Sequence, residues 1–316
     1  MKKIIQISLI ILILIFVTVG YTNGYGVGKK SVPAYTENKM ETDLDKQPKP
    51  VSDAAQISTA ISKEAEIKNV LAERRNGTEE QKYAVDPDKI IESNRQSEIS
   101  VNGRIDPDKP MVALTFDDGP HPKYSIEIAE ALKKNDALAT FFVLGSRAEK
   151  YKSTVNKIAE NGNEIGNHTY SHRELTRLKN VEIQSEIRKT SDILEAITGK
   201  TPFLTRPSYG SVNDNVKTYA GSPLILWSVD TQDWKSRDKD KIVHRTMSTV
   251  KDGDIILMHD IYKSSADAAK VVISELKAKG YQMVTISQLY QARGISLKNG
   301  KEYFECSTYY AGKNKK

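Results

Sequence analysis

The chain has 316 residues with a single cysteine, Cys306, and a formal net charge of +6. The length allows one domain of about 200 residues and a further segment, and the lone thiol excludes an intramolecular disulfide, so any core must hold by its own burial. The basic balance excludes no anionic neighbour and fits nucleic acid, an anionic membrane surface or an anionic wall.

Met1, Lys2 and Lys3 precede the apolar run "IIQISLIILILIFVTVG". As a helix, about 17 residues rise about 25 Å, near the lower limit for crossing a bilayer. Residues 1–21 are therefore expected to form a signal anchor, or a signal peptide if cut. No A-x-A-like site follows, and Tyr21 and Tyr25 suit an interface. Lysines before the run favour a cytoplasmic N-terminus. The remainder is then expected outside the membrane, or secreted if the segment is cleaved, and nucleic acid is not expected as a partner.

Residues 22–104 are polar and poor in aromatics, with "KQPKPVSD" as an interruption. Such a stretch buries little apolar surface and reads as a spacer. Within it Ile57, Ile61, Ala65 and Val70 or Leu71 recur near helical spacing, predicting a stalk helix over 53–75.

After "RIDPDKP" the pattern changes. The apolar runs "MVALTFD", "ATFFVLG", "EIGNH", "PFLTRP", "PLILWSVD", "DIILMHD" and "YQMVTI" alternate with amphipathic segments such as "SIEIAEALKKND", "VEIQSEIRKTSDILEAITG" and "ADAAKVVISELKAKG". Alternating strands and helices predict a parallel α/β sheet over 105–296, and about seven strands suggest a distorted or incomplete (β/α) barrel. The basic segment 297–316, containing "YFECSTYYAGKNKK", reads either as a short ordered cover or as a loose end.

In such folds reactive residues gather at the carboxyl ends of strands. Asp117 and Asp118 end the first run, His168 the third, Arg206 the fourth, Asp230 the fifth and His259 the sixth. "HTYSH" sets His168 and His172 four apart, on one face if the segment is helical. Two imidazoles and a carboxylate suit a zinc site with an open position. Each segment also has a plain reading: "TFDDG" as a turn, "RPSYG" as a loop, "DTQDW" as a capped strand end, "LMHD" as a buried strand. Five such segments in order at one face are not explained by coincidence.

Together these segments, in this order, resemble the motifs of the polysaccharide deacetylases of carbohydrate esterase family 4, the NodB homology domain, over about Asp106 to Ala292. The resemblance implies a metal-dependent hydrolase that removes N-acetyl groups from N-acetylglucosamine polymers, with peptidoglycan strands the expected partner of a chain tethered beside a wall. Chitin oligomers, xylan, muramic acid residues or a non-catalytic wall-binding role are the alternatives. By position it implies Asp118, His168 and His172 as ligands of Zn2+, Co2+ or a similar metal, Asp117 as general base, and Arg206 as the group orienting Asp117. It further implies His259 as general acid tuned by Asp233, the Tyr209 backbone as oxyanion donor, and Trp234 and Leu257 as substrate-pocket walls. Asp230 is expected only to bond the loop backbone. The chain departs from the family at Ser208, where the third motif commonly carries proline.

Overall fold

A computed structural model describes residues 105–307. The expected anchor, spacer and stalk helix lie outside the described residues, as does the chain beyond 307. Among the described residues no helix is long and apolar enough to cross a membrane.

The architecture is built around strand β1 (Met111–Gly119). It pairs in parallel with β2 (Thr140–Val143) on one side and β6 (Ile255–His259) on the other. Outside these lie β3 (Glu164–Asn167) and β5 (Val229–Asp230), giving the order β3-β2-β1-β6-β5, and β7 (Gln282–Met283) pairs with the start of β1. A strand covered on both faces reads as an unbroken apolar run. The two-residue period then sorts its side chains: Val112, Leu114 and Phe116 enter one core cluster, Met111 and Ala113 a second.

The first cluster is covered by helices whose sequences carry the matching period. Helix α1 (Tyr124–Lys134) buries Ser125, Ile128, Ala129 and Leu132, spaced three, one and three apart, as one helical face requires. After it come α2 (Gly145–Lys150) and α3 (Lys152–Glu160), then the long α4 (Asn180–Thr198). Gly199 ends α4 at φ +74°, a left-handed cap that lacks the Cβ penalty. The one-turn helix α6 (Asp233–Ser236) and α7 (Lys239–Thr249) follow the short α5 (Asp214–Tyr219). Helix α8 (Lys263–Ala278) packs against α1 and α7, and α9 (Ile286–Ala292) adjoins β1.

The parallel α/β organisation is as expected, but two runs differ from their reading as strands. "PFLTRP" contributes only Thr205, which bridges Asn167 and the next strand at Leu224. Pro202 and Pro207 bound it, and proline cannot donate to a ladder. "PLILWSVD" divides into β4 (Leu224–Ile225) and β5, which pair in parallel with different strands. The partner of β4 is β8 (Glu302–Tyr303), from the segment whose order the sequence left open. Cys306 beside it is fully buried in the second cluster, so the described part of that segment is an ordered cover.

Candidate active site

The end of β1 carries two carboxylates that diverge. Asp118 sits at φ 69°, a left-handed conformation that aspartate tolerates better than most residues. Asp117 is 3% exposed, and its Oδ1 accepts a 2.7 Å hydrogen bond from Arg206 Nη1. Asp118 instead places Oδ1 3.4 Å from His168 Nε2 and 3.2 Å from His172 Nε2. Burial alone would raise the Asp118 pKa, but the adjoining imidazoles outweigh it and hold it at about 2.

His168 leaves β3 directly and is buried, with Nδ1 2.7 Å from the carbonyl of Arg206. A carbonyl only accepts, so Nδ1 carries the hydrogen and the neutral ring keeps its lone pair on Nε2, facing the carboxylates. Burial works to lower the His168 pKa, and Asp117 and Asp118 reverse this and raise it. His172 has its pKa lowered, by burial and by the neighbouring His168.

The segment carrying both histidines is not a helix. Thr169 and His172 have φ of 70° and 60°, and these two left-handed residues bring the imidazoles together. Thr169 holds the turn: its N–H donates to Asn167 Oδ1, and its Oγ1 accepts from the His172 N–H. Ser208 Oγ lies 3.0 Å from the same Thr169 hydroxyl and is fully buried. Where the family's usual proline would fix φ, this chain therefore joins the Arg206 loop to the histidine loop by a side-chain hydrogen bond.

Donor atoms of Asp118, His168 and His172 lie within 4.8 Å of one another. Asp118 Oδ1 is buried and accepts no hydrogen bond, an arrangement that costs free energy unless something else occupies its lone pairs. One carboxylate and two imidazoles fit a divalent transition metal with room for a further ligand.

Arg206 is fully buried, the largest such side chain among the described residues. Its guanidinium donates to the carbonyls of Ile225 and Leu226, to Thr115 Oγ1 and to Asp117, and lies 4.2 Å over the Phe142 ring. A buried cation is tolerable only when paired and hydrogen-bonded in this way.

On the other flank of β1, Asp117 is in register with His259 at the end of β6. His259 Nδ1 lies 2.8 Å from Asp233 Oδ1, and Asp233 also accepts from the His259 N–H, the Ser265 hydroxyl and the Trp234 N–H. Burial would lower the His259 pKa, but the Asp233 carboxylate overrides it, with help from Asp117 and Asp118, and pushes it up to about 9.

Around the opening, Tyr209 is 64% exposed at φ 62° with its ring 4.6 Å from that of His172, and Trp234 is 48% exposed at the start of α6. Leu257 is buried in β6 beside Thr115. Asp230 closes a turn, its Oδ1 accepting from the Gln232 N–H at 2.8 Å. The structure thus gathers all the residues singled out in sequence at one end of the strands.

Two participants had no local signal. Ser265 reaches Asp233 from the first turn of α8. Asp260 is buried under the Gly119 backbone, hydrogen-bonded by the Ser125 hydroxyl, with its pKa raised by burial to about 7. A Cβ on Gly119 would lie 2.3 Å from Asp260 Oδ1, so this glycine lets the strand end approach the carboxyl group.

Residues 104–222 match the family model described as polysaccharide deacetylase. A peptidoglycan-N-acetylglucosamine deacetylase of Bacillus cereus is 39% identical over 190 residues, covering 58% of this chain and 69% of that protein. The chain belongs to the polysaccharide deacetylase family. The peptidoglycan-N-acetylmuramic acid deacetylase PdaC of Bacillus subtilis is 48% identical over 189 residues, which is 60% of this chain and 40% of that relative. The chain thus spans two fifths of the PdaC length. The solved structure of PdaC superposes with a TM-score of 0.59 at 47% identity, covering 60% of this chain and 94% of the solved one.

Proposed function

We propose that this protein is a metal-dependent hydrolase that removes the N-acetyl group from N-acetylglucosamine residues of peptidoglycan and releases acetate. The observation that carries the reading is the division of the two carboxylates at the end of β1: Asp118 Oδ1 lies 3.4 Å from His168 Nε2 and 3.2 Å from His172 Nε2, while Asp117 is hydrogen-bonded by Arg206 at Oδ1 and turns Oδ2 toward His168 alone, at 3.7 Å. Asp118, His168 and His172 would hold the metal, Zn2+ or Co2+. Bound there, it would make water acidic enough to attack at neutral pH and would polarise the acetamide carbonyl.

Asp117, fixed by Arg206, takes the proton from the attacking water. The Tyr209 backbone N–H is assigned as donor to the developing oxyanion, a contribution of roughly 3–4 kcal/mol for a preorganised donor of this kind. His259, kept protonated by Asp233, gives its proton to the glucosaminyl nitrogen as the C–N bond breaks. Acetate and a free amine leave. Trp234 and Leu257 wall the space for the acetyl methyl.

We read the arc of parallel strands as an incomplete barrel, the apolar segment 1–21 as a membrane anchor, and 22–104 as the spacer that lets the domain reach the wall. The basic charge suits an anionic polymer. A second reading, with the muramic acid residue as substrate, is favoured by the 48% identity to a protein named for that activity.

The test is acetate release by the full chain from N-acetylglucosamine oligomers and from peptidoglycan, with zinc or cobalt supplied. Asp117→Asn is expected to lower kcat about 10²–10⁴-fold while the protein still binds metal. No acetate from either substrate defeats the hydrolase reading, and full activity in Asp117→Asn defeats the assignment of the base.

A further inference from the structure

Beside the general acid lies a cationic platform that the proposed reaction does not use. The one-turn helix α6 has left-handed residues at both ends, Gln232 at φ 52° and Arg237 at φ 49°. Neither is glycine, and the left-handed conformation is disfavoured for a residue that carries a Cβ. Strain of this sort persists only where the surroundings hold it, and it gathers at functional sites.

The strained backbone places the Arg237 guanidinium with care. Its Nε donates a 2.7 Å hydrogen bond to the carbonyl of Trp234, and its Cζ stands 3.2 Å over the Tyr262 ring. Those two contacts lock a side chain that is otherwise rich in rotamers. They leave both Nη groups with no hydrogen bond among the described residues, and no carboxylate there lies within ion-pair distance. The adjacent acid, Asp238, is engaged elsewhere: it caps α7, accepting from the Asp240 and Lys241 N–H groups.

The position relative to the reaction is close. Tyr262 has its ring centroid 6.4 Å from that of His259, and Trp234 follows Asp233 directly. Of the four exposed large apolar side chains among the described residues, two, Tyr209 and Trp234, stand at this opening. Aromatic faces offered to solvent suit the flat faces of sugar rings. A fixed guanidinium fork next to them suits a planar anion, because two parallel N–H donors match the two oxygens of a carboxylate.

We propose that Arg237, held by Tyr262, is a subsite for a carboxylate carried by the sugar next to the reacting one. The inference rests on the peptidoglycan reading above and sharpens it. A polymer of N-acetylglucosamine alone is neutral. The wall polymer presents carboxylates in two places: the lactyl ether of the muramic unit once its peptide is removed, and the stem peptide itself. Arg237 then makes the difference between a general acetamide hydrolase and one that selects carboxylated strands. The exposed aromatics bind the sugar rings of either.

The experiment measures kcat/KM of the full chain and of Arg237→Ala on three substrates: neutral N-acetylglucosamine oligomers, peptide-free strands with open lactyl carboxylates, and strands with stem peptides in place. The quantity read is the ratio of each carboxylated substrate to the neutral one. In Arg237→Ala that ratio is expected to fall about tenfold for at least one carboxylated substrate, the size of losing a charge-assisted hydrogen bond. A fall with peptide-free strands assigns the lactyl carboxylate, and a fall with peptide-bearing strands assigns the stem. Arg237→Lys keeps the charge and loses the fork, and is expected to recover only part of the ratio.

An unchanged ratio in Arg237→Ala, with acetate still released, overturns the subsite and leaves the hydrolase reading standing. Absence of acetate with every substrate defeats the hydrolase reading instead. Calorimetric binding of the three glycans to both proteins then decides the subsite: equal affinities overturn it, and a loss confined to the carboxylated strands upholds it.

Discussion

His259 keeps its proton to a pH at which a free imidazole has lost it. Burial alone would strip that proton, but Asp233 at 2.8 Å holds the pKa near 9. In its proposed role as general acid His259 must be protonated to work, so kcat/KM is expected to fall as pH rises through about 9. Asp233→Asn removes the charge, and the alkaline limb should move down toward the ordinary imidazole value. Activity at pH 8 is then lost before activity at pH 6. The same group affects folding. Its folded pKa is raised above the unfolded 6.5, so its stabilisation is complete below that value and is lost as pH rises through about 9. A pH–rate profile whose alkaline limb is identical in Asp233→Asn would remove Asp233 from the control of His259. At this scale the sequence was informative about placement wherever a reactive residue type stood at a strand end, as with Asp117, Asp118 and His259. It was silent on Ser265 and Asp260, whose partners come from 32 and 135 positions away. It also misled on how His168 and His172 converge, because spacing alone cannot show that Thr169 and His172 are left-handed.

Among the elements, long segments with a clear period were the most legible. Helices α1, α4 and α8 fall on the amphipathic segments identified in sequence because burial on one face leaves a 3.6-residue record. Two-residue strands such as β4 and β8 leave no such record, and they form because a partner is available. Their pairing makes the C-terminal cover testable. Gly253 sits at φ +88°, and a Cβ there would lie 2.4 Å from the Cys306 carbonyl, while the Cys306 N–H donates to the Gly253 carbonyl. Gly253→Ala should displace the cover and destabilise the fold by about 1–3 kcal/mol in urea titration, the usual cost of overpacking. Cys306 reports the same event. Burial pushes its thiol up to about 12, so it is inert in the native protein and should react with thiol reagents in the variant. Unaltered midpoint and unaltered thiol reactivity would show that the cover is not held at this point.

For the whole molecule, a metal held by the cluster of Asp118, His168 and His172 would link its binding to folding. The three donors are assembled in the folded chain from β1 and from the loop after β3, so a cation that binds them favours the native state. At a hundred times its dissociation constant that linkage is worth about 2.7 kcal/mol. A domain of this size should then gain roughly 5–10 °C in melting temperature on zinc loading and lose it again with a chelator. His172→Ala should abolish the increment. A zinc-independent melting temperature in the native sequence would separate these residues from any metal. Because the carboxylates hold the His168 pKa up, protons compete with the cation, and the increment should shrink as pH falls.

The in-register pairing of Asp117 with His259 across β1 and β6 has a consequence for how such a protein can change. The proposed base and acid hang from the two ends of one rung of the ladder, so their separation is inherited with the sheet and is not set by any loop. Loops around the opening can then lengthen, shorten or exchange side chains over generations, altering which polymer is admitted, while the distance over which a proton is taken and returned stays constant.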